Sequence, residues 1–75
     1  MAKTFGKLKV NDEVYVIDNN RIKVGKISDR PSFEYAFIEI DGWMYSIPAD
    51  ATSFYDEMLG DIYSDFNEAT KAIKE

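Results

Sequence analysis

Asp61 and Asp65 stand four residues apart in a chain of 75 residues that has no histidine and no cysteine. Catalysis here would have to run on carboxylates, hydroxyls, phenols or amines. Two carboxylates one helical turn apart suit a divalent cation, but hard-cation sites generally gather about six oxygens or more. No metal-spaced cluster, glycine-rich phosphate loop or nucleophile elbow accompanies the pair. Absence of histidine removes the commonest general base and zinc ligand, and absence of cysteine removes thiolate chemistry and disulfides. The expectation is a protein that is not an enzyme and uses no cofactor and no metal.

Charge is the more informative pattern. Between Arg30 and Lys71 lie nine carboxylates and no cation: Glu34, Glu39, Asp41, Asp50, Asp56, Glu57, Asp61, Asp65 and Glu68. Nine of the eleven aromatics share that stretch: Phe33, Tyr35, Phe37, Trp43, Tyr45, Phe54, Tyr55, Tyr63 and Phe66. Residues 1–31 set seven cations against four acids, and residues 32–75 set two against ten, giving the net −5. Such a surface attracts a basic protein partner and repels phosphate, so no direct nucleic-acid contact is expected. Lys3, Lys7 and Lys9 form a basic N-terminal arm over residues 1–9, read as solvated.

The chain is long enough for one domain, 1–75, with a thin core that aromatic rings fill economically. Neither an apolar leader at residues 1–6 nor a run of ~18 apolar residues is present, so the expected location is cytoplasmic, without membrane contact.

The elements that must position these side chains begin at residues 13–18, a β-branched and aromatic strand turning at Asn19-Asn20 into a second strand. Pairing across that turn sets Asp18 opposite Arg21, Ile17 opposite Ile22 and Tyr15 opposite Val24. The apolar phase slips at Gly25, which predicts a bulge or sharp bend there. A loop over 29–32 leads to a third strand at 33–40, and Asp41-Gly42 is a strong hairpin signal. A fourth strand from Trp43 to Ile47 closes at Pro48, with Ile40 facing Trp43, Ile38 facing Tyr45 and Ala36 facing Ile47. The β-meander therefore spans 10–48.

In the last third the period changes. Tyr55, Met58, Leu59, Ile62, Phe66, Ala69 and Ile73 recur at three and four, predicting an amphipathic helix over 52–74 capped by Thr52 or Ser53. An alternative breaks the chain at Gly60: a turn at 52–59, a brief strand at Ile62-Tyr63, and a helix capped by Asp65 with Glu68 as its box partner. On the continuous helix Glu57, Asp61, Asp65 and Glu68 align about 6 Å apart per four-residue step, beside Asp56. That ridge would dock on a basic groove of the kind that holds nucleic acid, as a DNA mimic does, although an acidic surface helix also serves solubility alone. Tyr35, Phe37 and Met44 share one side of the third and fourth strands, where Phe54, Tyr55 and Phe66 are placed to cover them. Tyr15, Trp43 and Tyr45 suggest an aromatic cage on the other. Core packing and a contact surface are the two readings for these rings.

The string from Lys9 to Asp18, with Ile22 to Ile27 and Phe37 to Gly42, resembles the opening strands of SH3-like small barrels of the KOW and Tudor kind over residues 8–48. Asn11 stands where that pattern usually has glycine. The resemblance implies a curled antiparallel barrel and, through KOW-type relatives, RNA or ribosomal partners. Compact acidic chains without His and Cys are also similar to early proteins of phages.

Together these readings predict an α+β fold: a bent four-stranded antiparallel meander, an SH3-like partial barrel, with a C-terminal amphipathic helix. The expected function is a small acidic, non-enzymatic protein-interaction module, a viral-type inhibitor or regulator docking on a basic, nucleic-acid-handling protein. Asp56, Glu57, Asp61, Asp65, Glu68, Tyr35, Phe37 and Trp43 are its expected partner-binding residues. The alternative is an RNA- or ribosome-associated small barrel using the basic N-terminal half, and the opposed charges of the two halves also favour a homodimer.

Overall fold

Two tight turns organise the sheet. Asn19 and Asn20 take φ of 53° and 61°, and Asp41 and Gly42 take 55° and 83°. Left-handed backbone at both central positions is the type I′ geometry that matches strand twist. Each turn therefore fixes its register. A computed structural model of the chain describes residues 3–29 and 34–73. In it β1 (Glu13–Asp18) pairs β2 (Arg21–Asp29) with Asp18 opposite Arg21, Ile17 opposite Ile22 and Tyr15 opposite Val24. Likewise β3 (Tyr35–Ile40) pairs β4 (Trp43–Pro48) with Ile40 opposite Trp43, Ile38 opposite Tyr45 and Ala36 opposite Ile47. All six pairs are those the sequence predicts. The predicted loop at 29–32 is strand at Asp29, and residues 30–33 fall outside the described residues.

The chain then departs from the predicted helix over 52–74. Two further strands form, β5 (Ser53–Asp56) and β6 (Gly60–Tyr63), followed by a seven-residue helix α1 (Phe66–Ala72). β5 and β6 pair from Ser53 opposite Tyr63 to Asp56 opposite Gly60, and β6 lies antiparallel to β1. The break has a local cause. Gly60 holds φ of 95°, which helix excludes, and Asp56 Oδ1 accepts from the amides of Met58 at 2.8 Å and Leu59 at 3.1 Å. That side-chain bond makes a turn where a helix would need those amides pointed at carbonyls. The helix starts only at Asp65, whose Oδ2 accepts from the Glu68 amide at 3.2 Å. The alternative division at Gly60 thus describes the C-terminal third better, and Lys74 of the predicted helix lies outside the described residues.

The result is mostly β: six antiparallel strands in the order β4-β3-β2-β1-β6-β5, curled into a nearly closed barrel with α1 at the C-terminus. Four strands and a long helix are corrected to six strands and a short one. Inside the barrel, Val14, Val16, Ile27, Ala36, Ile38, Ile40, Ile47 and Ile62 are buried around Phe5. Each of the larger ones gives roughly 1.5–3 kcal/mol on burial.

Phe5 corrects a second expectation. The N-terminal arm is not solvated at that point: its ring is wholly buried in a single 3-10 turn (Phe5–Lys7). The amides of Phe5 and Gly6 donate to the carbonyls of Ala51 and Ala49 at 2.9 and 2.8 Å. Those bonds tie residues 5 and 6 across the connection between β4 and β5, so Phe5 belongs to the core, while Lys3, Lys7 and Lys9 are exposed as expected.

Gly25 corrects a third. It pairs in regular register with Val14, and the register shift falls at Ser28, between Ile27 and Asp29. Glycine is needed at 25 for proximity: a Cβ there would meet Ile40 Cγ1 at 2.5 Å and the Glu39 carbonyl at 2.8 Å. Asn11, standing where the SH3-like pattern usually has glycine, adopts φ of 75°, which asparagine tolerates better than other side chains.

Candidate partner-binding surface

Directly opposed residues of an antiparallel ladder share a face, so the registers place the side chains of the paired strands. Outside the barrel, one row runs Tyr55, Asp61, Ile17, Ile22 across β5, β6, β1 and β2. The adjacent row runs Ser53, Tyr63, Tyr15, Val24. Their alternates Phe54, Ile62, Val16 and Val14 face inward. The outer face is therefore apolar in its middle, with Ile17 and Ile22 half-buried, Val24 exposed and Tyr55 62% exposed.

Acids border it at the β5–β6 hairpin. Glu57 and Met58 occupy the turn, and Met58, at 86%, is the most exposed large hydrophobic side chain among the described residues. Asp61 lies between Tyr55 and Ile17 along the row. Among the described residues neither Glu57 nor Asp61 makes an ion pair. Asp56 is spent on the turn amides. This hairpin thus shows an aromatic ring, a thioether and two uncompensated carboxylates at one end of the sheet.

At the other side of the same face α1 begins. Phe66 meets Tyr15 edge to face, ring centroids 5.4 Å apart and planes at 70°. Tyr15 is partly buried there, and its hydroxyl donates to Glu13 Oε1 at 3.4 Å. Burial first, then the carboxylates of Glu13 and Asp65, hold its phenol above the ordinary value of 10.0. Asp65 caps the helix, and Glu68 approaches Lys71 Nζ at 3.8 Å.

The predicted binding residues are therefore divided. Asp56, Glu57 and Asp61 come together on the hairpin, while Asp65 and Glu68 sit at the start of α1. No continuous ridge exists, because strand and cap replace the helix that would have aligned them. Asp61 and Asp65 likewise lie on a strand and a cap, and no group of three potential metal ligands occurs among the described residues.

The three predicted binding aromatics, Tyr35, Phe37 and Trp43, lie on β3 and β4, three strands or more from β6 in the sheet order. Tyr35 is half exposed opposite Pro48, and Phe37 is half-buried opposite Ser46. Trp43 is 71% exposed at the start of β4. Tyr15 is on the outer face and Trp43 and Tyr45 share the face of Ile40 and Ile38, so the predicted cage of the three is not formed. Phe54 packs on the core and Phe66 on Tyr15, so neither covers Tyr35, Phe37 and Met44.

Sequence reasoning missed Met58 as a surface group and left Tyr55 and Phe66 between core and contact surface, having assigned all three to the apolar stripe of a helix. Their signal was Gly60, with Ser53-Phe54-Tyr55-Asp56 and Gly60-Asp61-Ile62-Tyr63 as matching short strands around it.

In the basic half, Lys23 Nζ reaches Asp41 Oδ2 at 2.6 Å and Asp18 at 3.7 Å, and Lys26 reaches Glu39 at 3.5 Å. The hydrogen bond and charge of Asp41 hold the Lys23 ammonium above its ordinary value of 10.5. Among the described residues no helix is long and apolar enough to cross a membrane. Comparison with protein-family models, with curated proteins and with solved structures gives no match.

Proposed function

We propose that this chain is a non-enzymatic protein-interaction module that holds a basic protein on the outer face of its β5–β6 hairpin. One observation carries the reading: Tyr55 and Met58 are exposed at 62% and 86% next to Glu57 and Asp61, two carboxylates with no cation beside them among the described residues. Aromatic and thioether groups give a partner area to bury, and nearby acids select one rich in lysine or arginine. The nearly closed barrel supports the SH3-like reading as the rigid frame behind the hairpin. An inhibitor or regulator of a nucleic-acid-handling protein remains the role of choice, but imitation of a regular phosphate ladder is no longer part of it. The acids are split between hairpin and helix cap.

The RNA-associated alternative draws less support, since Lys23 and Lys26 are each engaged by carboxylates. A lysine- and arginine-rich peptide titrated into the protein tests the reading by amide chemical shifts. Shifts should centre on Tyr55, Met58 and Asp61 and disappear in Glu57→Lys/Asp61→Lys. Shifts that survive the double reversal, or that map to the basic half when RNA is added instead, would refute it.

A further inference from the structure

The sheet has two ends, and they differ in charge. β5 carries Asp56 and leads into Glu57, whereas β4 has no charged residue from Trp43 to Pro48. In a chain that is 31% charged, a six-residue uncharged strand at a sheet edge lacks the lysines and inward charges that usually blunt such edges. Its register shows which backbone groups point away from β3. The β3–β4 ladder runs unshifted from the Asp41-Gly42 turn to Tyr35 opposite Pro48, and the Ala49 amide donates to Glu34 at 2.9 Å. Residues 43, 45 and 47 therefore direct their backbone groups to β3, Ala49 gives β3 only its amide while its carbonyl accepts from Gly6, and Met44, Ser46 and Pro48 direct theirs away. Proline stands at an outward position, where its missing N–H breaks no bond within the ladder. Met44 is 60% exposed and Trp43 71% exposed on either face of this edge.

We infer that β4 is the site of a symmetric dimer, in which the β4 strands of two copies pair antiparallel about Tyr45. That register is self-complementary. Met44 of each copy exchanges both backbone bonds with Ser46 of the other, and Trp43 comes opposite the second copy's Ile47, on the face of Tyr45. The charge pattern selects a second copy as the occupant. Two chains of net −5 repel wherever their acids meet, so they approach most easily along a strand with none. A basic partner gains nothing there, and β5 pairing with β5 would set Asp56 and Glu57 of two copies together. The pairing joins two barrels into one sheet with an acidic hairpin at each far end. Pairing along a single six-residue strand makes a small interface, so the dimer is expected to be weak, half formed at roughly 100 µM.

Sedimentation velocity across a concentration series tests this. Wild type should rise toward twice the monomer mass, with the Trp43 emission shifting blue over the same range. Met44→Lys, a surface change that puts like charges at the edge, should hold the protein monomeric with an unchanged circular dichroism spectrum. Ser46→Pro, which removes an outward N–H and fixes φ at an edge position, should do the same with circular dichroism unchanged, while Glu57→Lys/Asp61→Lys should leave the dimer in place. A wild type that stays monomeric at about 1 mM, an order of magnitude above the expected midpoint, overturns the inference. So does a dimer that Met44→Lys leaves intact, or one that only the hairpin reversal dissolves.

Discussion

Gly60 lies against the backbone of Ile17: a Cβ added at Gly60 would stand 2.8 Å from the Ile17 carbonyl oxygen, at a φ of 95°. This approach sits at the end of the β6–β1 ladder, next to the Ile17–Asp61 pair. It also reverses the expected effect of a familiar substitution. In a helix Gly60→Ala would stabilise by about 1 kcal/mol. Here left-handed backbone and a backbone clash together should cost about 2–4 kcal/mol, read as a lower urea midpoint.

Asp65 and Asp61 separate the cap from the surface. Asp65→Ala removes the acceptor for the Glu68 amide and should cost about 1 kcal/mol of stability. Asp61→Ala, on an exposed strand position without an ion pair among the described residues, should stay within ~0.5 kcal/mol. Equal costs at the two positions in thermal unfolding would restore the continuous helix.

Much of the meander was legible because its turns are chemical. Asn19-Asn20 and Asp41-Gly42 tolerate positive φ, and two-residue turns leave no freedom in the pairing that follows. The C-terminal third was not legible by period. Tyr55, Met58, Leu59, Ile62 and Phe66 satisfy a three-four spacing, yet Tyr55 faces out of the barrel, Ile62 faces in, and Met58 and Leu59 lie in a turn. A short strand, a turn and a short strand imitate a helical stripe when the turn itself carries apolar residues. Gly25 misled differently: it looked like a break in the pattern because the room it leaves belongs to Ile40, fifteen residues later in the chain. Of the proposed binding residues, Glu57 and Asp61 were legible from charge alone, while the exposure of their apolar neighbours Tyr55 and Met58 depended on knowing the strand.

Trp43 offers a direct optical check. At 71% exposure its emission in dilute solution should be red-shifted and open to a neutral quencher. A blue, protected emission at low concentration would mean that the start of β4 packs into the core.

Alkaline titration should weaken the fold in a definite direction. The Tyr15 phenol and the Lys23 ammonium both have folded values above their ordinary 10.0 and 10.5. Both protonated forms are therefore favoured by folding. Their contributions are complete below those ordinary values and vanish as pH rises through the folded ones. Chemical-denaturation midpoints should fall from about pH 10 upward, and Tyr15→Phe should flatten part of that fall. A stability that rises over this range would contradict the placement of Glu13, Asp65 and Asp41 beside these groups.

The acidic hairpin as a docking face for a basic protein is tested most directly by affinity capture with three baits: wild type, Glu57→Lys/Asp61→Lys, and Tyr55→Ala/Met58→Ala. Quantitative mass spectrometry should find basic proteins on the wild-type bait and about 10-fold or greater loss on both variants, each confirmed folded by circular dichroism. Equal recovery of the same proteins on all three baits, or recovery of RNA in place of protein, would contradict it.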